Sequence, residues 1–170
     1  MRRLYLLATV VGVCALALIV VGTAGGKHGP KPDKGRAATG ALFAQLSGRN
    51  EISPSGQRNA GDLDGRGSFT AITTSNGLCF GITVSGLSTP VAAHIHAARK
   101  HKNGPIVVPL MAPSSGDPGA SSGCVPVPDA SLLAAIRKHP QRYYANVHTS
   151  DFPGGAVRGQ LFHAKPGQAR

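Results

Sequence analysis

Two segments in which apolar and polar residues alternate, residues 67–75 (GSFTAITTS) and 78–87 (LCFGITVSGL), flank the dipeptide Asn76-Gly77. A period of two places successive side chains on opposite faces of a strand, whereas a helix needs a period of 3.6. Asn-Gly between two such runs is a strong signal for a tight antiparallel hairpin. The pair therefore predicts that this part of the chain is a β-hairpin.

Short apolar runs separated by glycine continue from about residue 39 to residue 162 and predict about seven strands. One segment differs, because residues 128–140 carry Asp129 as a helix N-cap and Pro140 as a stop. The predicted fold class is all-β, a Greek-key β-sandwich or flattened barrel with one short connecting helix. The other predicted strands are in residues 39–46, 90–98 and 104–111 and in two runs either side of a turn at residues 150–155.

The N-terminus begins with Arg2 and Arg3, continues with an uncharged apolar run at residues 4–21 and then has small residues. This layout is typical of an export signal. The run is also at the lower limit for spanning a bilayer, so a cleaved signal peptide and a retained membrane anchor both stay open for residues 1–26. Either alternative predicts that the rest of the chain is secreted or extracytoplasmic.

Three further regions follow from composition. Residues 27–38 are rich in Pro, Gly and Lys and have too little apolar content for a core, so they are predicted to be a flexible spacer. Residues 39–163 are predicted to form the β domain, and residues 164–170 a basic tail.

Cys79 and Cys124 are the thiols that lie beyond the N-terminal segment. An even pair in an oxidising compartment predicts a disulfide, with two buried free thiols as the alternative.

The formal charge is +11, of which Arg2 and Arg3 supply two, so +9 remains after residue 26. Nucleic acid is not expected as a partner for an exported chain with scattered cations. An anionic molecule of the cell envelope is the more natural partner. A membrane is expected as a partner only through the N-terminal segment, if that segment is retained.

His94 and His96 lie two residues apart in a predicted strand, so their side chains share one face. If the last hairpin closes with Val147 opposite Val157, these two valines point towards the core. The residues that alternate with them along the two strands then share the other face of the sheet. These are His148, Asn146 and Arg158, together with Gln160.

Imidazole ligands suit copper or zinc, so His94, His96 and His148 are predicted as a metal site. Arg158 and Asn146 are predicted to support this site or to bind an anion. His101 is predicted to be a loop residue with no part in the site. The alternative is that all these groups are ordinary polar residues on the half-exposed face of an antiparallel sheet.

The sequence resembles the chordin-type (CHRD) domain. The resemblance rests on the segment AHIH, on GPIVVPL after a short loop, and on YYANVHTSDFPGGAVRGQL, and it extends from residue 39 to residue 161. The loop AARKHKNGP departs from the glycine-rich loop of many relatives, so contacts of that loop are not carried over. The resemblance implies an extracellular β-rich module, found alone in bacterial exported proteins and repeated in chordin.

A weaker resemblance to copper-zinc superoxide dismutases implies roles for His94, His96, His148 and Arg158 and for the cysteine pair. The bridging histidine and the zinc-binding His and Asp of that family have no clear counterparts here.

No glycine-rich phosphate loop follows a predicted strand, and the seven acidic residues, most of them in predicted turns, offer little for a paired-carboxylate hydrolase. The leading hypothesis is therefore a non-enzymatic exported binding or structural module. The alternative hypothesis is a copper or zinc metalloprotein with dismutase-like redox chemistry.

Overall fold

The computed structural model describes residues 40–163. The predicted export segment, spacer and basic tail lie outside these described residues. Within the described range, no helix is long and apolar enough to cross a membrane.

The described chain is an all-β domain with one α-helix, as predicted. The strands belong to one antiparallel sheet in the order β5-β4-β7-β8-β1-β2-β3-β6, and β9 pairs with β1. They are β1 (Leu42–Ser47), β2 (Arg66–Thr73), β3 (Gly77–Ser85), β4 (Pro90–Ala97), β5 (Ile106–Leu110), β6 (Gly119–Pro126), β7 (Tyr143–Thr149), β8 (Val157–Gln160) and β9 (Phe162–His163).

The sheet curls until its two end strands approach each other. Met111 follows β5, and its carbonyl accepts a hydrogen bond of 2.8 Å from the Ser121 hydroxyl of β6. The result is a nearly closed barrel, which corresponds to the flattened barrel among the predicted architectures.

The predicted Asn-Gly hairpin is present. Strands β2 and β3 pair from Arg66 opposite Ser85 to Thr73 opposite Leu78. The alternation of their residues sends one set inward, where Phe69 and Ile82 are fully buried. Full burial of one large apolar side chain stabilises a fold by roughly 1.5–3 kcal/mol, so this alternation sets the register. The rest of the core contains Leu42, Leu46, Leu78, Val84, Ile95, Val108, Ile136, Val147, Val157 and Leu161.

The predicted helix is α1 (Ala130–Lys138). Asp129 caps it by accepting hydrogen bonds from the backbone N–H groups of Ser131 and Leu132. Leu133 and Ile136 are the buried residues of this helix, and they belong to the hydrophobic core of the barrel.

Strand β6 was not among the predicted strands. Its sequence, GASSGCVP, has no apolar alternation, and most of its residues are exposed. It pairs with β3 with Cys79 opposite Cys124, and these two residues form a disulfide. The predicted disulfide is therefore confirmed, and it attaches an edge strand to the sheet.

The last hairpin has the predicted register, with Val147 of β7 opposite Val157 of β8. Strand β4 lies on the other side of β7, and His94 is opposite Asn146. The polar face of these strands is buried at Asn146 and Arg158, which are only 3% and 4% exposed, and half-buried at His94 and His148.

Candidate metal centre

Strands β4 and β7 bring three histidines together on one face. Ala92 is opposite His148, and His94 is opposite Asn146, so His148 lies one diagonal step from His94. His96 lies two residues further along the same face. The ring centroids are 5.8 Å apart for His94 and His96, 5.2 Å for His94 and His148, and 6.2 Å for His96 and His148.

One nitrogen of each ring points into the group. His94 Nδ1, His96 Nε2 and His148 Nε2 are buried and have no hydrogen-bond partner among the described residues. The ligand atoms of the three histidines all lie within 4.8 Å of one another. Around a tetrahedral ion with Zn–N bonds of 2.0–2.1 Å, neighbouring nitrogens are about 3.3 Å apart. Each pair of these nitrogens is therefore at most about 1.5 Å farther apart than in a bound site.

The opposite nitrogens of two rings are held by backbone carbonyls. His96 Nδ1 is 2.9 Å from the Gly104 carbonyl oxygen, and His148 Nδ1 is 3.0 Å from that of Pro153. A carbonyl only accepts, so each Nδ1 carries the hydrogen and each Nε2 keeps a free lone pair. Metal-binding histidines in proteins are oriented in this way.

Burial and neighbouring positive charge favour the neutral form of His94 and His96. Burial lowers the pKa of His94 below its usual range, and charges on His148 and His96 lower it further. Burial also lowers the pKa of His96, although the hydrogen bond to Gly104 opposes that change. Neutral imidazole is the form that binds a metal ion.

A buried polar network lies beside the histidines on the same face. The Arg158 Nε donates to the Asn50 carbonyl at 2.7 Å and lies 3.7 Å from Glu51 Oε2, and Nη1 donates to Asn103 Oδ1 at 2.9 Å. The Asn146 amide donates to the other oxygen of Glu51. Arg158 and Asn146 therefore have structural partners, and Arg158 Nη2 has none among the described residues.

Tyr144 joins this network to the histidines. Its ring stacks on His96 with centroids 4.8 Å apart and planes 6° apart, and the Arg158 guanidinium lies 4.7 Å from the ring centroid. Strand β7 lies between β4 and β8, so these contacts come from the two neighbouring strands. Such contacts restrict the ring of His96 to one orientation.

The burial of Glu51 makes the stability of the domain depend on pH, which can be tested. Burial raises its pKa from 4.5 to about 7, although Arg158 and hydrogen bonds from Asn146 and Ile52 oppose this rise. Between these pH values the folded chain holds a proton that the unfolded chain has released. The free energy of unfolding therefore falls as the pH rises from about 4.5 to about 7, by an amount on the order of 3 kcal/mol.

We expect Glu51→Gln to remove that fall, because glutamine does not ionise. Urea unfolding at pH 5 and pH 8 measures the effect. The free energy of unfolding of the variant, relative to that of the parent, should be higher at pH 8 than at pH 5. His94 and His96, whose lowered pKa values act in the opposite sense, are present in both proteins and cancel in this comparison. The exposed carboxylate of Asp151 supplies the control variant Asp151→Asn. Parallel pH profiles for the parent and Glu51→Gln would refute the assignment.

The structure thus brings His94, His96 and His148 together, which the sequence left open. His101 lies in an exposed loop with a φ of 65° and is not in the group.

Sequence reasoning missed Glu51, Tyr144 and Gly104. Glu51 is the only glutamate in the chain, and Gly104 begins the GPIVVPL segment. These two features are the sequence signals that point to Glu51 and Gly104.

A family model described as the CHRD domain matches residues 42–161. The chain belongs to the CHRD-domain family. The match includes all three histidines of the candidate centre as well as Glu51 and Arg158. A search of curated proteins found no match.

Proposed function

We propose that this CHRD domain is an extracytoplasmic binding module that holds one copper or zinc ion through His94 Nδ1, His96 Nε2 and His148 Nε2. The single observation that carries the proposal is the convergence of these three buried nitrogens without hydrogen-bond partners. A buried polar atom without a partner costs about 1–3 kcal/mol, and a bound ion supplies the missing partner for all three atoms. The disulfide fits a location outside the cytoplasm.

The ligand set favours these two metals. Neutral imidazoles suit copper and zinc, whereas calcium and magnesium prefer oxygen ligands. Three protein ligands leave a fourth position for water or a small molecule, as in catalytic zinc sites. Dismutase-like redox chemistry remains the second candidate because of that open position, and it requires copper as the ion. A superoxide consumption assay of copper-loaded and zinc-loaded protein separates the two functions.

Elemental analysis of the protein purified from the exported fraction tests the proposal. We expect about one copper or zinc ion per chain in the parent and in His101→Ala. His94→Ala should lose the metal, because it removes a ligand without touching the Gly104 and Pro153 contacts. A parent protein that carries no metal and takes up none in a titration with Cu(II) or Zn(II) would overturn the proposal.

Gly104→Ala should weaken metal binding although no ligand changes. A Cβ at residue 104 would collide with the Ala97 carbonyl, so the backbone must shift. That shift moves the Gly104 carbonyl away from His96 Nδ1. Loss of such an outer contact costs roughly 10–100-fold in metal affinity. Competition with a chelator measures the change. Gly123→Ala is the matched control, because its Cβ would have its nearest contact at 3.9 Å. Equal affinity of both variants would contradict the role of the Gly104 carbonyl.

A further inference from the structure

A cavity with polar and apolar walls lies beside Tyr144, whose ring also stacks on His96. Its volume is about 190 Å³, and Asn50, Lys100, His101, Tyr144 and Arg158 are among the residues that line it. A water molecule takes about 30 Å³ in the liquid, so the cavity has room for an anion of several heavy atoms. The metal site and the cavity share one neighbour, Tyr144, whose ring contacts both His96 and Arg158.

The charged residues that line this cavity are all positive. Its lining includes the cations Lys100 and Arg158 and no carboxylate. Lys100 is exposed, whereas Arg158 is 4% exposed and cannot exchange its protein contacts for bulk water. Positive groups in a concave, poorly hydrated site raise the local concentration of anions.

Arg158 is held in place before any ligand arrives. Its Nε and Nη1 donate to Asn50 and Asn103, and its guanidinium lies over the Tyr144 ring. Nη2 is buried and has no partner among the described residues. Glu51 offsets part of the charge from the Nε side, at 3.7 Å, and is not among the residues that line the cavity. A fixed guanidinium with an unused donor is well suited to a phosphate or carboxylate oxygen.

We infer that this cavity binds a phosphate group, either as the free anion or as an ester on a larger envelope molecule. Two cations favour an anion with more than one negative charge over a single carboxylate. The site does not depend on the proposed metal, because none of its lining residues is among the three histidines.

A titration of metal-free, full-length protein with inorganic phosphate at constant ionic strength tests the inference. We expect saturable NMR shifts for the Arg158 side chain and for the amides of Lys100 and His101. Lys100→Ala should weaken binding about two- to fivefold, the range for an exposed ion pair. Lys100→Glu should weaken it more than tenfold, because it places a carboxylate at the cavity.

Lys138→Glu is the matched control, since it reverses an exposed cation on α1 that does not line the cavity. Its phosphate affinity should stay within twofold of the parent. Arg158→Lys keeps the charge but loses the planar fork, and it should abolish saturable binding. If that variant does not fold, the two Lys100 variants decide the outcome. Absence of saturable shifts, or equal weakening by Lys138→Glu and Lys100→Glu, would overturn the inference.

Two further measurements distinguish loss of the metal site from loss of the anion site, and a free phosphate from a phosphate ester. His148→Ala should bind phosphate as the parent does, so loss of the metal site is distinguishable from loss of the anion site. Glycerol phosphate is the second probe. Binding equal to that of inorganic phosphate supports a phosphate carried by a larger molecule, whereas its exclusion supports the free anion. Phosphate binding that disappears in metal-free protein would contradict a separate site.

Discussion

His148→Ala is expected to abolish tight binding of Cu(II) and Zn(II). Among the described residues, His148 supplies the one ligand nitrogen that β7 contributes to the group, and His94 and His96 come from β4. Loss of an outer contact alone costs roughly 10–100-fold, so loss of a direct ligand should exceed about 100-fold. Competition titrations with a chelator of known affinity measure this change.

His101→Ala is the control for that experiment. It removes an imidazole from the exposed loop and leaves all three converging nitrogens in place. Its metal affinity should equal that of the parent. If His148→Ala binds as tightly as the parent, these imidazoles are not a metal site.

Loss of the disulfide should produce the largest fall in stability. Cys79 and Cys124 are 45 residues apart in sequence, and closing a loop of that length stabilises a fold by roughly 4 kcal/mol in the chain-entropy model. The bond also attaches β6, an edge strand whose own residues are mostly exposed. The double variant with alanine at both positions should unfold at a clearly lower denaturant concentration than the parent. Its metal affinity should change little, because the histidines lie on β4 and β7.

Mass spectrometry of the native protein without reduction supplies the chemical check. The intact chain should be two hydrogens lighter than the form with free thiols. Two thiols that alkylate in the native protein would contradict the bond. An unfolding midpoint that does not change in the double variant would contradict its contribution to stability.

The hairpins could be predicted from local sequence, whereas one edge strand could not. Asn76-Gly77 and the alternation around it indicate β2 and β3, and the pairing of Val147 with Val157 assumed from the sequence is the one between β7 and β8. Strand β6 has glycine and serine where an alternating pattern would need apolar residues. Its pairing depends on the disulfide and on backbone hydrogen bonds to β3, and neither leaves a periodic signal.

The candidate site could be predicted in part. Parity placed His94 and His96 on one face and His148 with Arg158 on another strand's face. The pairing of β4 with β7 joins segments about 50 residues apart, and such long-range adjacency has no local signature. Glu51 lies in a segment without regular alternation, so its burial against Arg158 also depends on tertiary packing. The carbonyl of Gly104 is a backbone group, and residue patterns do not report it.

Anomalous X-ray diffraction tests the central claim most directly. Crystals of the zinc-loaded protein, measured on both sides of the zinc absorption edge, locate the ion without reference to activity. The account predicts one peak about 2.0–2.1 Å from His94 Nδ1, His96 Nε2 and His148 Nε2. A peak bound through other nitrogens or elsewhere on the protein, or no ordered peak at saturating zinc, would contradict the three-histidine centre.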